Sequence, residues 1–86
     1  MTPAAIAGVA AACVGVTAFV PQVYKIVKTR ETKDLSLPTW ILQVIAFALW
    51  VTYGAVSGNW PIIVPNSIMF LLSCLILGMK IFSSSN

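Results

Sequence analysis

The sequence contains very little charge. Only 8% of its 86 residues are Asp, Glu, Lys or Arg, against roughly a quarter in soluble domains. From Thr2 to Tyr24, and again from Leu35 to Met79, no side chain is ionisable apart from Cys and Tyr. The sequence is 59% hydrophobic and its mean hydropathy is +0.97. Water is a poor solvent for such a surface, so the composition predicts an integral membrane protein.

Side chains for catalysis or metal binding are also scarce. There is no histidine, and the two acidic residues, Glu31 and Asp34, lie in one short polar segment. Cys13 and Cys74 lie in apolar stretches without the spacing of a metal or redox motif, so we expect them to act as small hydrophobic residues. We therefore expect no metal site, no cofactor and no enzymatic activity.

The apolar stretches predict three transmembrane helices. A span needs about 20 apolar residues, and the first stretch provides one at about residues 3–24. The second stretch provides two, at about 37–56 and 61–82, separated by a turn segment with Gly, Asn and Pro at 57–61. Helices satisfy their own backbone hydrogen bonds in lipid. The expected fold is an all-α membrane protein with one three-helix domain over residues 1–86 and a cytoplasmic loop at about 25–36.

The basic residues predict the orientation in the membrane. Four of the five lie between the first two helices, and Lys80 lies at the end of the third, on the same side of the membrane. The positive-inside rule places this side and the C-terminus in the cytoplasm, with the N-terminus outside. Topology thus explains the net charge of +3, and nucleic-acid binding is not indicated. A cleaved signal peptide is the weaker interpretation of the first helix, because its positive charges follow the apolar stretch.

The first helix combines small residues with a proline. Ala4, Gly8 and Ala12 recur at four-residue spacing, which lets helix backbones approach closely in lipid. Pro21 follows near the predicted end of this helix, where it removes a hydrogen bond and favours a kink. The amide of Gln22 needs a polar partner at this depth. We expect the small residues to pack against another helix.

The tryptophans lie at different predicted depths. Trp40 and Trp60 lie near the ends of their spans, which is typical of membrane–water interfaces. Trp50 lies about two-thirds of the way across the second span, at a depth similar to that of Asn66 in the third. An indole face can stack on the C–H side of a sugar ring, and a carboxamide donates and accepts hydrogen bonds. The pair therefore suits a neutral polar solute, unless Trp50 only packs and Asn66 only joins two helices.

The order of these motifs resembles the SemiSWEET family, bacterial three-helix sugar transporters related to the SWEET and PQ-loop proteins. The resemblance covers Ala4 to about Phe82 and rests on Pro21-Gln22, Thr-Lys-Asp-Leu-Ser at 32–36, Trp50, Tyr53-Gly54 and Asn66. It implies a parallel homodimer in the bacterial inner membrane, in which Trp50 and Asn66 of both copies bind a mono- or disaccharide on the dimer axis.

The same resemblance implies how the transporter moves. Alternating access would use Pro21 as a hinge, with Gln22 beside it at the inner gate, and Tyr53 would help to close the outer gate. Some members carry charged partners shortly after that tyrosine, whereas this sequence has Ser57 and Asn59. We therefore expect a neutral or weaker outer gate.

Two other functions remain open from the sequence. The chain could be a small non-transporting assembly or regulatory subunit, in which Trp50 and Asn66 only pack. It could also be a PQ-loop-type transporter of a non-sugar solute, although no acidic residue lies at mid-membrane. Because the spans contain no Asp, Glu or His, which build proton relays, we expect transport to be passive.

Overall fold

Three helices account for the regular secondary structure of residues 2–82. The structure is a computed structural model that describes residues 2–82, and within that range it contains no strand. Helix α1 spans Pro3–Thr29, α2 spans Leu37–Ser57 and α3 spans Trp60–Phe82. All three are long and apolar enough to cross a membrane. The prediction of an all-α membrane protein with three spans is confirmed.

Polar side chains cap the starts of α1 and α2. The Oγ1 atom of Thr2 accepts a hydrogen bond from the backbone N–H of Ala5 at 3.0 Å. The Oγ atom of Ser36 accepts one from the N–H of Thr39 at 3.3 Å. A proline follows each cap in the first turn, where its missing N–H costs no helix hydrogen bond. These local signals explain why the two helices begin where they do.

Helix α1 extends beyond its predicted end near residue 24. Lys25 and Lys28 are good helix formers, so the helix continues after the apolar stretch and ends at Thr29. Arg30 then adopts the left-handed conformation, with φ of 58°, and its N–H donates to the carbonyl of Ile26 at 2.7 Å. The connecting loop is therefore shorter than the predicted 25–36, and Pro21 lies two turns inside the helix.

A tight turn joins α2 to α3. Gly58 has a φ of 67°, a conformation that glycine adopts without steric cost. The N–H of Asn59 donates to the carbonyl of Gly54 at 2.8 Å, and that of Gly58 donates to the carbonyl of Ala55 at 3.4 Å. These two hydrogen bonds together form the Schellman motif. It stops α2 at Ser57 and reverses the chain within two residues.

Helix α3 lies between α1 and α2 and contacts both along its length, although α1 and α2 are consecutive in sequence. No Cα atom of α1 comes within 8 Å of one of α2 over the described residues. The Cα atoms extend over 48 × 23 × 14 Å. The three helices therefore form a curved layer, with α1 and α3 parallel and α2 antiparallel to them.

Glycines allow α3 to approach its two neighbours. A Cβ atom at Gly8 would lie 3.5 Å from Cβ of Pro61, and one at Gly15 would lie 3.2 Å from Cε of Met69. The tightest approach is at Gly54 of α2, where a Cβ atom would lie 2.8 Å from Cγ1 of Ile63. Gly8 and Gly15 of α1 thus pack against α3, whereas Ala4 at the start of the predicted repeat is exposed.

The two ends of the layer differ in composition. We use "basic end" for the end with residues 25–36 and Lys80, and "turn end" for the end with Thr2 and residues 57–61. At the basic end, the Nζ atom of Lys80 donates to the carbonyl oxygen of Thr32 at 2.7 Å. This hydrogen bond attaches the α1–α2 loop to the last turns of α3.

The small buried core also lies toward the basic end. Val23, Trp40 and Ile76 form it, one from each helix. The ring of Phe19 bridges from α1 to α2, with its centroid 6.1 Å from that of Trp40 and 6.0 Å from that of Phe47. Trp40 lies near the end of its helix, as predicted, but its indole is buried between the three helices and is not an exposed interfacial ring. Trp60, in contrast, is exposed at the turn end.

We expect Gly54→Ala to destabilise the protein by about 1–3 kcal/mol, the usual cost of overpacking. The new methyl group would also lie 3.2 Å from the backbone nitrogen of Ile63, which cannot rotate away. Gly78→Ala is the matched control, because nothing lies within 4 Å of a Cβ atom there. In that control variant, the free energy of unfolding should increase by about 0.5–1 kcal/mol. Thermal unfolding in detergent measures both changes, and equal melting temperatures for the two variants would contradict the α2–α3 packing.

Candidate functional site

Trp50 and Asn66 line the same groove. They come from α2 and α3, and the antiparallel packing of these helices brings the two side chains to one depth. The groove has a volume of about 310 Å³, at the lower end of the range for ligand pockets. Its other walls are apolar and include Gly8, Ala11, Ala12, Pro61, Pro65 and Met69. The pairing that the sequence predicts is thus present within one copy of the chain.

The amide of Asn66 is oriented by its own helix. Its Nδ2 atom donates to the carbonyl oxygen of Ile62 at 2.8 Å, one turn earlier in α3. The hydrogen bond to a neighbouring helix, which the packing alternative requires, is absent among the described residues. Ile62 holds one N–H of the amide, which leaves the second N–H and the acceptor Oδ1 for a ligand.

Trp50 is half-exposed, with 52% of its surface accessible. Its ring meets that of Tyr53 edge to face, with centroids 5.9 Å apart and planes at 88°. On the side away from α1, Trp50 and Tyr53 also line a wider groove of about 600 Å³ with Leu49 and Ile62. Trp50 therefore forms a wall between two grooves, with an aromatic surface free to stack.

The structure does not bring Pro21 and Gln22 to this groove. Both side chains are exposed on α1, about 13 Å along the helix from Ala12 at the 1.5 Å rise per residue. The helix continues through Pro21 without a break. Pro21 lacks an N–H, so the carbonyl of Thr17 has no helix donor at this point. This is a local weakness toward the basic end, separate from the groove.

The region after Tyr53 is neutral, as the sequence predicts. The hydroxyl of Ser57 donates to the carbonyl of Tyr53 at 2.7 Å, inside the last turn of α2. Ser57 and Asn59 line a polar depression of about 450 Å³ at the turn end together with Thr2. None of the described residues lining this depression is charged.

Sequence reasoning missed the residues of α1 and α3 that shape the groove. Gly8 and Ala12 belong to the small-residue repeat that predicts helix packing, and in the structure they also leave room in front of Asn66. Met69 follows Asn66 by one turn and contributes a flexible wall. The repeat was the available signal, but a sequence pattern alone does not separate packing from cavity formation.

The sequence of this chain is similar to those of known membrane proteins. The chain matches the PQ loop repeat family over residues 4–63. A relative from Bradyrhizobium diazoefficiens, named sugar transporter SemiSWEET, is 42% identical over 74 residues, which cover 86% of each chain. The chain belongs to the SemiSWEET family. Another sugar transporter SemiSWEET, from Leptospira biflexa, is 32% identical over 74 residues, 86% of this chain and 87% of that one.

A solved structure shows the same fold for this SemiSWEET chain. The crystal structure of a bacterial homologue of SWEET transporters matches it with a TM-score of 0.81 at 35% identity, covering 93% of this chain and 96% of the other. The relatives are named as transporters and not as enzymes. The prediction that this chain is a membrane protein without enzymatic activity is therefore confirmed.

Proposed function

We propose that this SemiSWEET protein is a passive transporter of small neutral sugars that works as a parallel homodimer. The main support is the groove that Trp50 and Asn66 share inside the predicted membrane span. Relatives over most of the chain are named sugar transporters. The groove contains an aromatic face, one amide and no charge, a combination that suits a solute with hydroxyl groups and apolar ring faces.

A second copy would complete the site. One copy is a curved layer, and its groove is open on the side where Trp50 is half-exposed. A layer of this shape cannot enclose a path for a sugar. Two copies related by an axis along the membrane normal present the same groove to each other. The sugar would then lie between two Trp50 rings and two Asn66 amides.

The site would recognise the sugar through complementary contacts. A Trp50 ring stacks against the C–H face of the sugar, and Asn66 Oδ1 accepts a hydrogen bond from a hydroxyl. One N–H of its Nδ2 is already bonded to the carbonyl of Ile62 at 2.8 Å, which holds the amide in one orientation before the sugar arrives and leaves the other N–H able to donate to a hydroxyl. Such pre-organisation reduces the entropy lost on binding.

Alternating access would use flexible points at both ends. Pro21 interrupts the hydrogen bonding of α1 and provides a hinge beside the inner gate, where Gln22 lies. Tyr53, 56% exposed and in contact with Trp50, would close the path toward the turn end, with Ser57 and Asn59 making that gate neutral. We place the basic end in the cytoplasm of a bacterial cell and the N-terminus outside its inner membrane.

We expect Trp50→Ala and Asn66→Ala each to reduce sugar uptake per folded dimer at least about tenfold. Stacking contributes about 0.5–2 kcal/mol and each hydrogen bond about 0.5–1.5 kcal/mol. Both copies change at once, whereas binding in the millimolar range totals only about −4 kcal/mol. Uptake of radiolabelled mono- and disaccharides into proteoliposomes measures the effect.

Trp60→Ala is the matched control for these variants, because Trp60 is equally exposed but does not line the groove. It should keep near-normal uptake. If both groove variants transported normally per folded dimer and only lost yield or melting temperature, the side chains would serve packing, as in a non-transporting subunit. Binding of a non-sugar solute that depends on Asn66 would instead indicate the other PQ-loop function.

We expect Pro21→Ala to leave the fold intact and to slow exchange between inward-open and outward-open states. Alanine supplies the missing N–H to the carbonyl of Thr17, so it removes the compliant point in α1. Spin labels at Lys28→Cys, in a background without Cys13 and Cys74, report the distance between copies at the basic end. Pro38→Ala is the control, because Pro38 lies in the first turn of α2. Unchanged distance distributions and transport in Pro21→Ala would exclude the hinge.

We expect sugar flux to follow the sugar gradient only. Over residues 2–82, no Asp, Glu or His lies within the apolar part of any helix, so proton coupling lacks its usual groups. In proteoliposomes with an imposed proton gradient, internal sugar should reach the external concentration and no more. A protonophore should have no effect. Accumulation above the external concentration that a protonophore abolishes would contradict a passive mechanism.

A further inference from the structure

A second pair of polar side chains lies on the same helix faces as Trp50 and Asn66. Gln43 precedes Trp50 by seven residues on α2, and Ser73 follows Asn66 by seven residues on α3. Seven residues are close to two helical turns. Since α2 and α3 are antiparallel, both members of the second pair lie about 10 Å nearer to the basic end than the first pair.

Contacts between α2 and α3 show that Gln43 and Ser73 also lie at the same depth along the two helices. Near the turn end, Gly54 of α2 lies against Ile62 of α3. Near the basic end, Trp40 of α2 shares the core with Ile76 of α3. Each step of one residue back along α2 therefore corresponds to one step forward along α3. Between these two contacts, this register places Gln43 and Ser73 opposite each other.

Both side chains hold a buried polar atom without a hydrogen-bond partner. These atoms are Oε1 of Gln43 and Oγ of Ser73, and less than 1 Å² of either is accessible. Ser73 as a whole is 0% exposed. A water molecule has no access to either atom, so solvation does not compensate for the missing bonds. Unpaired buried polar groups raise the free energy of the state that contains them.

The two unpaired atoms have complementary chemistry. A serine hydroxyl donates one hydrogen bond, and a glutamine carbonyl oxygen accepts. We propose that Gln43 and Ser73 hydrogen-bond to each other in a second conformation, and that this bond favours that conformation over the one described. The second conformation is the other state of the transport cycle, so this part rests on the proposed function.

The fold permits the movement that would form this bond. Pro65 removes one backbone hydrogen bond from α3 between the turn end and Ser73, which leaves a point where the basic half of α3 can tilt. The α1–α2 loop would move with α3, because Lys80 holds the carbonyl of Thr32 at 2.7 Å. Formation of the Gln43–Ser73 hydrogen bond would thus depend on how far the basic half of α3 has tilted relative to α2.

The bond can be observed directly by NMR. The sequence contains only two glutamines, Gln22 and Gln43, so labelling glutamine with ¹⁵N gives two side-chain amide signals in lipid nanodiscs. Ser73→Ala should move the Gln43 signal and leave that of Gln22 in place. Saturating sugar should shift the Gln43 signal of the native chain, and this shift should disappear in Ser73→Ala.

A double-mutant cycle measures the effect on the conformational equilibrium. Gln43→Met keeps the side-chain shape without the amide, and Ser73→Ala removes the hydroxyl. Each should shift the ratio of the two states about threefold toward the described one, the factor that corresponds to an average hydrogen bond between membrane helices. The double variant should shift it no further. Ser67→Ala, on another face of α3, is the control and should change neither the ratio nor the Gln43 signal.

The outcomes separate this proposal from the proposed function. A Gln43 signal insensitive to Ser73→Ala, or additive effects of the two variants on the state ratio, would overturn the hydrogen bond even if sugar uptake is normal. Coupled effects on Gln43 in a protein that carries no sugar would support the bond as a conformational contact and reject the sugar-transport proposal. Coupled effects together with a changed maximal uptake rate and an unchanged sugar affinity would support both.

Discussion

The close contact of α3 with both neighbouring helices is the interaction on which the rest of the structure depends. Without a hydrophobic effect between helices in lipid, van der Waals contact has to hold them together. Gly54 of α2 and Gly8 and Gly15 of α1 supply that contact by leaving room for side chains of α3. Because α3 occupies the middle, the chain becomes a curved layer, and the face that carries Trp50 stays open.

That open face gives functional meaning to the few polar groups inside the membrane. In a closed bundle, Asn66 would bond to a neighbouring helix, whereas here its amide is held by Ile62 of its own helix and borders a groove of about 310 Å³. The apolar walls define the shape of the groove, and the amide defines where a hydrogen bond can form within it. Under the proposed function, a neutral site of this kind would bind its solute weakly and could release it on the other side of the membrane.

The basic end of the layer and the region around the groove have different roles. The basic end contains the small core of Val23, Trp40 and Ile76 and the Lys80 contact to the loop, so it holds the three helices in register. The middle contains the groove, and Pro21 and Pro65 each interrupt the hydrogen bonding of a helix between packed segments. These missing hydrogen bonds are the basis of the hinge proposed above.

Composition and the lengths of the apolar stretches determined that this chain spans the membrane three times, because lipid restricts both charge and backbone structure so strongly. Predicted depth brought Trp50 and Asn66 together as a pair that suits a neutral solute, and the resemblance to the SemiSWEET family gave the pair its expected role. Two features depended on tertiary contacts. Trp40 is buried because α1 and α3 close over it, and the order of the layer follows from where glycines permit contact. The continuation of α1 to Thr29 was instead encoded locally, by the helix propensity of the residues that follow the apolar stretch. The pair of Gln43 and Ser73 at one depth likewise emerges only when α2 and α3 are placed in register, because the sequence does not state which residues of two helices lie opposite each other.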